Sequence, residues 1–99
     1  TASETVTLAS AQTANLLNSN VFVVSVQGNH ALNVSNMTSG VEATFLIKNT
    51  GAYDVAFSTD FSFVGGHNPT ITSGNGKVDL IKCTSDGTKM YCNITQNLT

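Results

Sequence analysis

The stretch FVGGHNPTITSGNGKVDLIKCTSDGTKMYCNITQNL, from Phe63 to Leu98, decides the fold class. Its two apolar runs, Val78 to Thr84 and Lys89 to Gln96, flank Ser85-Asp86-Gly87-Thr88. Asp-Gly between such runs predicts a β-hairpin, because Gly takes positive φ without steric cost. Upstream, Gly65 and Gly66 with Pro69 predict a corner between strands, Pro69 stiffening it, and Gly74-Asn75-Gly76 predicts a second turn. Neither glycine group is a phosphate loop, since no Lys-Ser/Thr pair or helix start follows.

Working outward, period-two alternation dominates and no long window shows a 3.6-residue period. Thr5 to Leu8 alternates, Val21 to Val26 (VFVVSV) is β-branched and aromatic, and Ala31 to Val34 returns after a Gln27-Gly28-Asn29-His30 turn. Ala14 to Leu17 reads as a short strand or one helical turn. Ala43 to Lys48 (ATFLIK), Tyr53 to Phe57 and Phe61 to Phe63 follow, with Tyr53, Val55 and Phe57 on one face. Strands of this length with frequent turn signals predict an all-β chain: an antiparallel β-sandwich, jelly-roll-like, of about eight short strands ending in the hairpin. With no repeat, linker or low-complexity tract, residues 1–99 read as a single domain.

Charge narrows the functional classes. Charged residues are 10% of the chain, against about a quarter in ordinary globular domains. There is no Arg, the four Lys form no run, and the net charge is −2, so no footprint for nucleic acid or an anionic membrane is expected. Asn, Ser and Thr make up roughly a third of the residues; they order at little entropic cost and pair in many geometries. Such a surface suits repeated contact with identical neighbours, and it also suits any β domain rich in turns. The longest apolar stretch, Val21 to Val24, is far short of the roughly 20 residues that span a bilayer. The chain shows no targeting segment, since its N-terminus has neither a basic nor an apolar leader region; Thr1 follows a removed Met or opens a fragment.

The residues that could carry chemistry are scattered. Cys83 and Cys92 lie on opposite arms of the hairpin. A turn centred on Asp86-Gly87 opposes Cys83 to Met90 and leaves Cys92 diagonal, whereas one centred on Gly87-Thr88 opposes the cysteines directly. Both registers share a face, so a cross-strand disulfide and two core thiols stand as equal alternatives. His30 and His67 fall in predicted turns without a neighbouring nucleophile or carboxylate, and no Cys-x-x-Cys spacing supports zinc. Asp60 and Asp86 read as turn residues, and Asp54 and Asp79 as outward strand residues, so no acid–base dyad or calcium loop is expected. Glycosylation acceptor patterns begin at Asn33, Asn36, Asn93 and Asn97, but composition alone yields about three such matches. No catalytic residue, cofactor or metal is expected.

Taken together, Val6-Thr7-Leu8, Gly28-Asn29, Gly40 to Lys48, Phe57 to Phe63, Gly65 to Thr72 and Gly76 to Tyr91 resemble a β-rich domain of tailed-phage and prophage virion proteins, of tail-fibre, head-fibre or capsid-decoration type. The specific parts are GGHNPTIT, similar to the family's GG-x-x-P-T-h-T, and GKVDLIKCTSDGTKMY, similar to G-x-V-D-h-h-x-h-x-x-D-G-T-x-x-Y, where h is apolar. The chain departs at Met90, where an aromatic is usual, and at Cys83 and Cys92. The resemblance implies a non-enzymatic virion subunit that docks on the capsid or fibre as a symmetric oligomer, commonly a homotrimer, with partners among its own copies and the major capsid or fibre proteins. An alternative is a receptor-binding fibre tip that recognises a host surface glycan, for which Tyr53, Tyr91 and the Asn-rich loops are the candidates. A secreted adhesion domain is a third reading, resting on the acceptor patterns and the two cysteines.

Overall fold

The computed structural model describes residues 3–98. About half of the chain is strand, and no α-helix occurs among the described residues. Among the described residues nine strands run in the order β1 (Glu4–Leu8), β2 (Gln12–Asn15), β3 (Val21–Val26), β4 (His30–Ser35), β5 (Glu42–Asn49), β6 (Val55–Phe57), β7 (Phe61–Ser62), β8 (Val78–Ser85) and β9 (Met90–Thr95). A 3₁₀ turn covers Val64–Gly66. The segment at residues 14–17, open between strand and helical turn in the sequence, enters β2 through Ala14 and Asn15.

Two sheets form, and their strand orders correct the expected antiparallel arrangement. The larger sheet runs β1-β3-β5-β8-β9-β7 and the smaller β2-β4-β6. From β1 to β6 the chain visits the two sheets alternately, and each strand lies parallel to the one two before it. Parallel neighbours need a crossover connection. Here that crossover is a strand of the opposite sheet, so the chain re-enters each sheet travelling in its former direction. The result is a flattened coil. Its corners stack as the strands do: Gln27 N–H donates to Leu8 O at 3.3 Å, and Thr50 N–H donates to Val26 O at 3.2 Å. Antiparallel pairing enters only at β8, which lies against β5 and then turns into β9. β7 pairs in parallel with β9 through Phe61↔Met90 and Ser62↔Tyr91 alone.

Register in a parallel stack places like positions over one another, and this builds the core. Val6, Val24 and Ile47 form one buried row across β1, β3 and β5; Phe22, Phe45 and Ile81 form another across β3, β5 and β8. The small sheet contributes Ala14, Leu32, Val34, Val55 and Phe57 to the same cluster. All five phenylalanines connect: Phe22 stacks on Phe45 at 5.4 Å, Phe45 meets Phe61 edge-on at 5.6 Å, Phe61 meets Phe57 at 5.3 Å, and Phe57 meets Phe63 at 5.0 Å. Phe57 stands on the small sheet and the first three on the large one, so the ring chain ties the sheets together. Each fully buried side chain of this size contributes about 1.5–3 kcal/mol.

Other expectations are corrected by facing. Asp79 points inward and is 2% exposed, because Ile81, Cys83 and Ser85 fix the odd positions of β8 as its buried face. Val78 and Leu80 therefore lie half-buried on the opposite face, and Tyr91 is 53% exposed. His30 opens β4, paired with Val55, instead of lying in a turn. Ile94 is partly buried and packs against the core.

Candidate functional site

The hairpin is the starting point, since two of its residues depend on its turn. Asp86 N–H donates to Lys89 O at 3.1 Å, which makes Gly87 and Thr88 the central turn residues. Gly87 has φ 93°, the conformation that a II′-type hairpin asks of its first central residue. This is the register that opposes Cys83 to Cys92, and the two form a disulfide with Cα atoms 4.1 Å apart. The bridge joins a non-hydrogen-bonded pair, where opposing side chains stand closest.

Asp86 organises the turn further. Its Oδ1 accepts the Lys89 and Thr88 backbone N–H groups at 2.8 Å each, and these bonds hold its carboxyl below the usual range. The Tyr91 ring stands half exposed beside this turn. Around it, the outward-facing residues of β5, β8 and β9 form two cross-strand rows: Glu42, Thr84 and Tyr91 in one, Thr44, Lys82 and Asn93 in the next. They line a shallow depression of about 290 Å³.

The same sheet face changes character away from the hairpin tip. Val23, Leu46 and Leu80 are direct cross-strand neighbours on β3, β5 and β8, all half-buried and all turned away from the core. Val21, 39% exposed, and Val78 flank them. β3 is thus apolar at two of its three outward positions, Val21 and Val23, and β5 adds Leu46 among polar neighbours.

The predicted corner takes shape at the far edge. Gly65 and Gly66 have φ 74° and 73°, and Gly66 N–H donates to Phe63 O at 3.0 Å, so the chain reverses there before Pro69. Phe63, Val64, His67, Pro69 and Ile94 border a depression of about 360 Å³. β7 covers β9 only at Met90 and Tyr91, so Cys92 to Thr95 have no strand neighbour on this side among the described residues.

Two buried polar side chains hold the loops that frame these surfaces. Asn49 Nδ2 donates to Tyr53 O at 2.9 Å and to Thr72 O at 3.0 Å. The Asp79 carboxylate accepts the Thr72 N–H at 2.7 Å, the Thr72 hydroxyl at 2.7 Å and the Asn97 N–H at 2.8 Å. The long segment between β7 and β8 and the tail after β9 are pinned to the sheet through this one carboxylate. The sequence carried a signal for it: Asp79 lies four residues before Cys83, hence on the same strand face, and a directly opposed disulfide places that face inward.

The dispersed candidates stay apart. His30 belongs to β4, His67 is exposed in the corner, and Asp54 caps local backbone through Val55 N–H at 2.9 Å and Ile71 N–H at 3.3 Å. Among the described residues no group of three or more His, Cys, Asp or Glu could hold a metal ion, and no helix is long and apolar enough to cross a membrane. The arrangement offers contact surfaces: an exposed aromatic among polar residues, an apolar patch on the sheet face and an open strand edge. No protein-family model, curated protein or solved structure matches the chain.

Proposed function

We propose that this chain is a non-enzymatic structural subunit of a tailed-phage virion, a capsid decoration or fibre component that docks on the particle as a symmetric oligomer, a homotrimer by the family resemblance. In this reading the two sheets act as the layers of a sandwich. The observation that carries it is the outward apolar row Val23, Leu46 and Leu80, flanked by Val21 and Val78. A monomer gains nothing from an apolar outer face on its central strands. A sister subunit laid against that face would bury it, and a closed symmetric contact uses the same patch on every copy. The low charge supports the reading, because identical subunits bring identical charges together.

Light scattering on the purified chain tests it. A mass that is a whole multiple of 10.3 kDa, reduced to 10.3 kDa by Leu46→Glu with Leu80→Glu, is the expected result. A wild-type chain that stays at 10.3 kDa at micromolar concentration refutes the assembly. Imaging the parent particle locates the subunit on it.

A further inference from the structure

We infer that the open flank of β9, Cys92 to Thr95, is a docking site for an uncharged extended segment of a partner protein, which adds to the large sheet as one more strand. The flank lies at the sheet's edge, apart from the outward Val23–Leu46–Leu80 row, so the inference goes beyond the assembly reading and does not depend on it.

The main chain selects an extended ligand. Asp86 N–H donates to Lys89 O, and counting pairs from that bond makes Cys83–Cys92 and Ile81–Ile94 non-hydrogen-bonded pairs. Cys92 and Ile94 therefore turn their backbone groups away from β8. Met90, of the same parity, shows where they go: its N–H donates to Asp60 O at 2.7 Å on the β7 side. β7 ends at Ser62, so the Cys92 carbonyl and the Ile94 N–H and carbonyl face the flank with no strand opposite among the described residues. The chain's own continuation is steered off this line. Gly65 and Gly66, at φ 74° and 73°, turn it aside; Asn68 Nδ2 donates to Phe57 O at 3.2 Å, and Gln96 Nε2 donates to Thr70 O at 2.6 Å. A slot held open in this way costs an incoming strand little reorganisation.

Side chains set the ligand's chemistry, since a strand added at an edge points alternate residues to opposite faces. On the inner side, Phe63, Val64, Pro69 and Ile94 border the depression of about 360 Å³, which suits an aliphatic side chain. On the outer side, Ser62, Tyr91 and Asn93 border one of about 250 Å³, which suits a small polar one. No Asp, Glu, Lys or Arg borders either, so a charged residue placed there would lose water and gain no counter-charge. Size favours a partner's segment over a second copy. The open part of β9 spans only about 13 Å. A strand laid along it covers far less than the roughly 800 Å² per subunit that a stable dimer buries.

The test is an amide-resolved NMR titration of the full chain, disulfide intact, with the peptide Ac-Thr-Val-Ser-Val-Thr-NH₂. Saturable shifts are expected at Val64 and at Cys92 to Thr95. The same peptide with Glu in place of both Val should bind about tenfold more weakly or worse. Ile94→Pro removes an N–H that β8 does not use, as edge positions tolerate, and should weaken binding about tenfold or more. Val64→Glu, at a position 79% exposed, leaves the fold undisturbed and should weaken binding about threefold or more. Leu46→Glu with Leu80→Glu should bind the peptide as the wild type does, which separates this outcome from the fate of the assembly. The inference is overturned if the valine peptide gives no saturable shift, if the shifts map elsewhere, or if the glutamate peptide binds equally well. It is also overturned if Ile94→Pro and Val64→Glu both bind as the wild type does. A light-scattering mass halved by Ile94→Pro would assign the flank to a second copy and overturn it as well.

Discussion

Replacing Asp79 by Ala should be among the most damaging single changes outside the aromatic cluster. The carboxylate accepts three bonds, two from Thr72 and one from Asn97, and is 2% exposed. Hydrogen bonds to a charged group contribute about 1.5–3 kcal/mol each, and donors left without a partner add their own desolvation cost. The Thr72 and Asn97 sites are only partly buried, so water replaces some of the loss, and we expect about 3–4 kcal/mol. For a chain of this size that lowers the melting temperature by about 12–30 °C. Asp79→Asn keeps the shape but turns an amide N–H₂ toward donors, so it should recover less than half of the loss. Urea denaturation followed by far-UV circular dichroism, with the disulfide verified intact by mass, gives the number. A loss under about 1 kcal/mol for Asp79→Ala would refute the view that this carboxylate pins the loop and tail to β8.

Phe61→Ala removes the ring that meets Phe45, Phe57 and Phe63, and should cost about 3–5 kcal/mol by the same denaturation assay. Gly87→Ala forces a side chain into φ 93° and brings its Cβ 3.4 Å from Ser39 N, so a loss of about 1–2 kcal/mol is expected. The Asp86 carboxyl is held below its ordinary value of 3.8, so its bonds stabilise the turn fully above that pH. The stabilisation fades as pH falls through the lowered value. Amide shifts of Thr88 and Lys89 should titrate there in the wild type and stay flat in Asp86→Asn. Replacing Cys83 and Cys92 together by Ala opens a loop of sequence separation 9 and should cost about 2–3 kcal/mol in the chain-entropy account, measured against the oxidised wild type.

How much of this was legible in the sequence depends on range. Strand identity is a local property, and the alternation in Thr5 to Leu8, Val21 to Val26 and Ala43 to Lys48 falls within β1, β3 and β5. The direction in which two strands meet is not local. A hint lay in Val21 to Val26, apolar at both parities, which parallel sheets favour and one-sided antiparallel sheets do not. The hairpin illustrates both limits. Asp-Gly announced a turn, but its centre lay between two registers that only pairing resolves, and Gly87-Thr88 is the one adopted. In VDLIKCTS, apolar residues occupy both parities; Val78 and Leu80 suggest one inner face, while Ile81 and Cys83 establish the other. Asp79 followed the wrong choice. The depression beside Tyr91 draws on β5, β8 and β9, which are distant in sequence and share a face only through their register.

The reversal of direction at β8 has a consequence for the coil that precedes it. A stack of parallel rungs has no intrinsic stopping point, since the free edge of its last strand offers the same bonding pattern to any further strand, whether from its own chain or another. β8 occupies the edge of β5 running the other way, and β9 doubles back upon it. The final third of the chain thus serves as a terminator: it consumes the template at that end and confines growth of the large sheet to the β1 side and the partly open flank of β9.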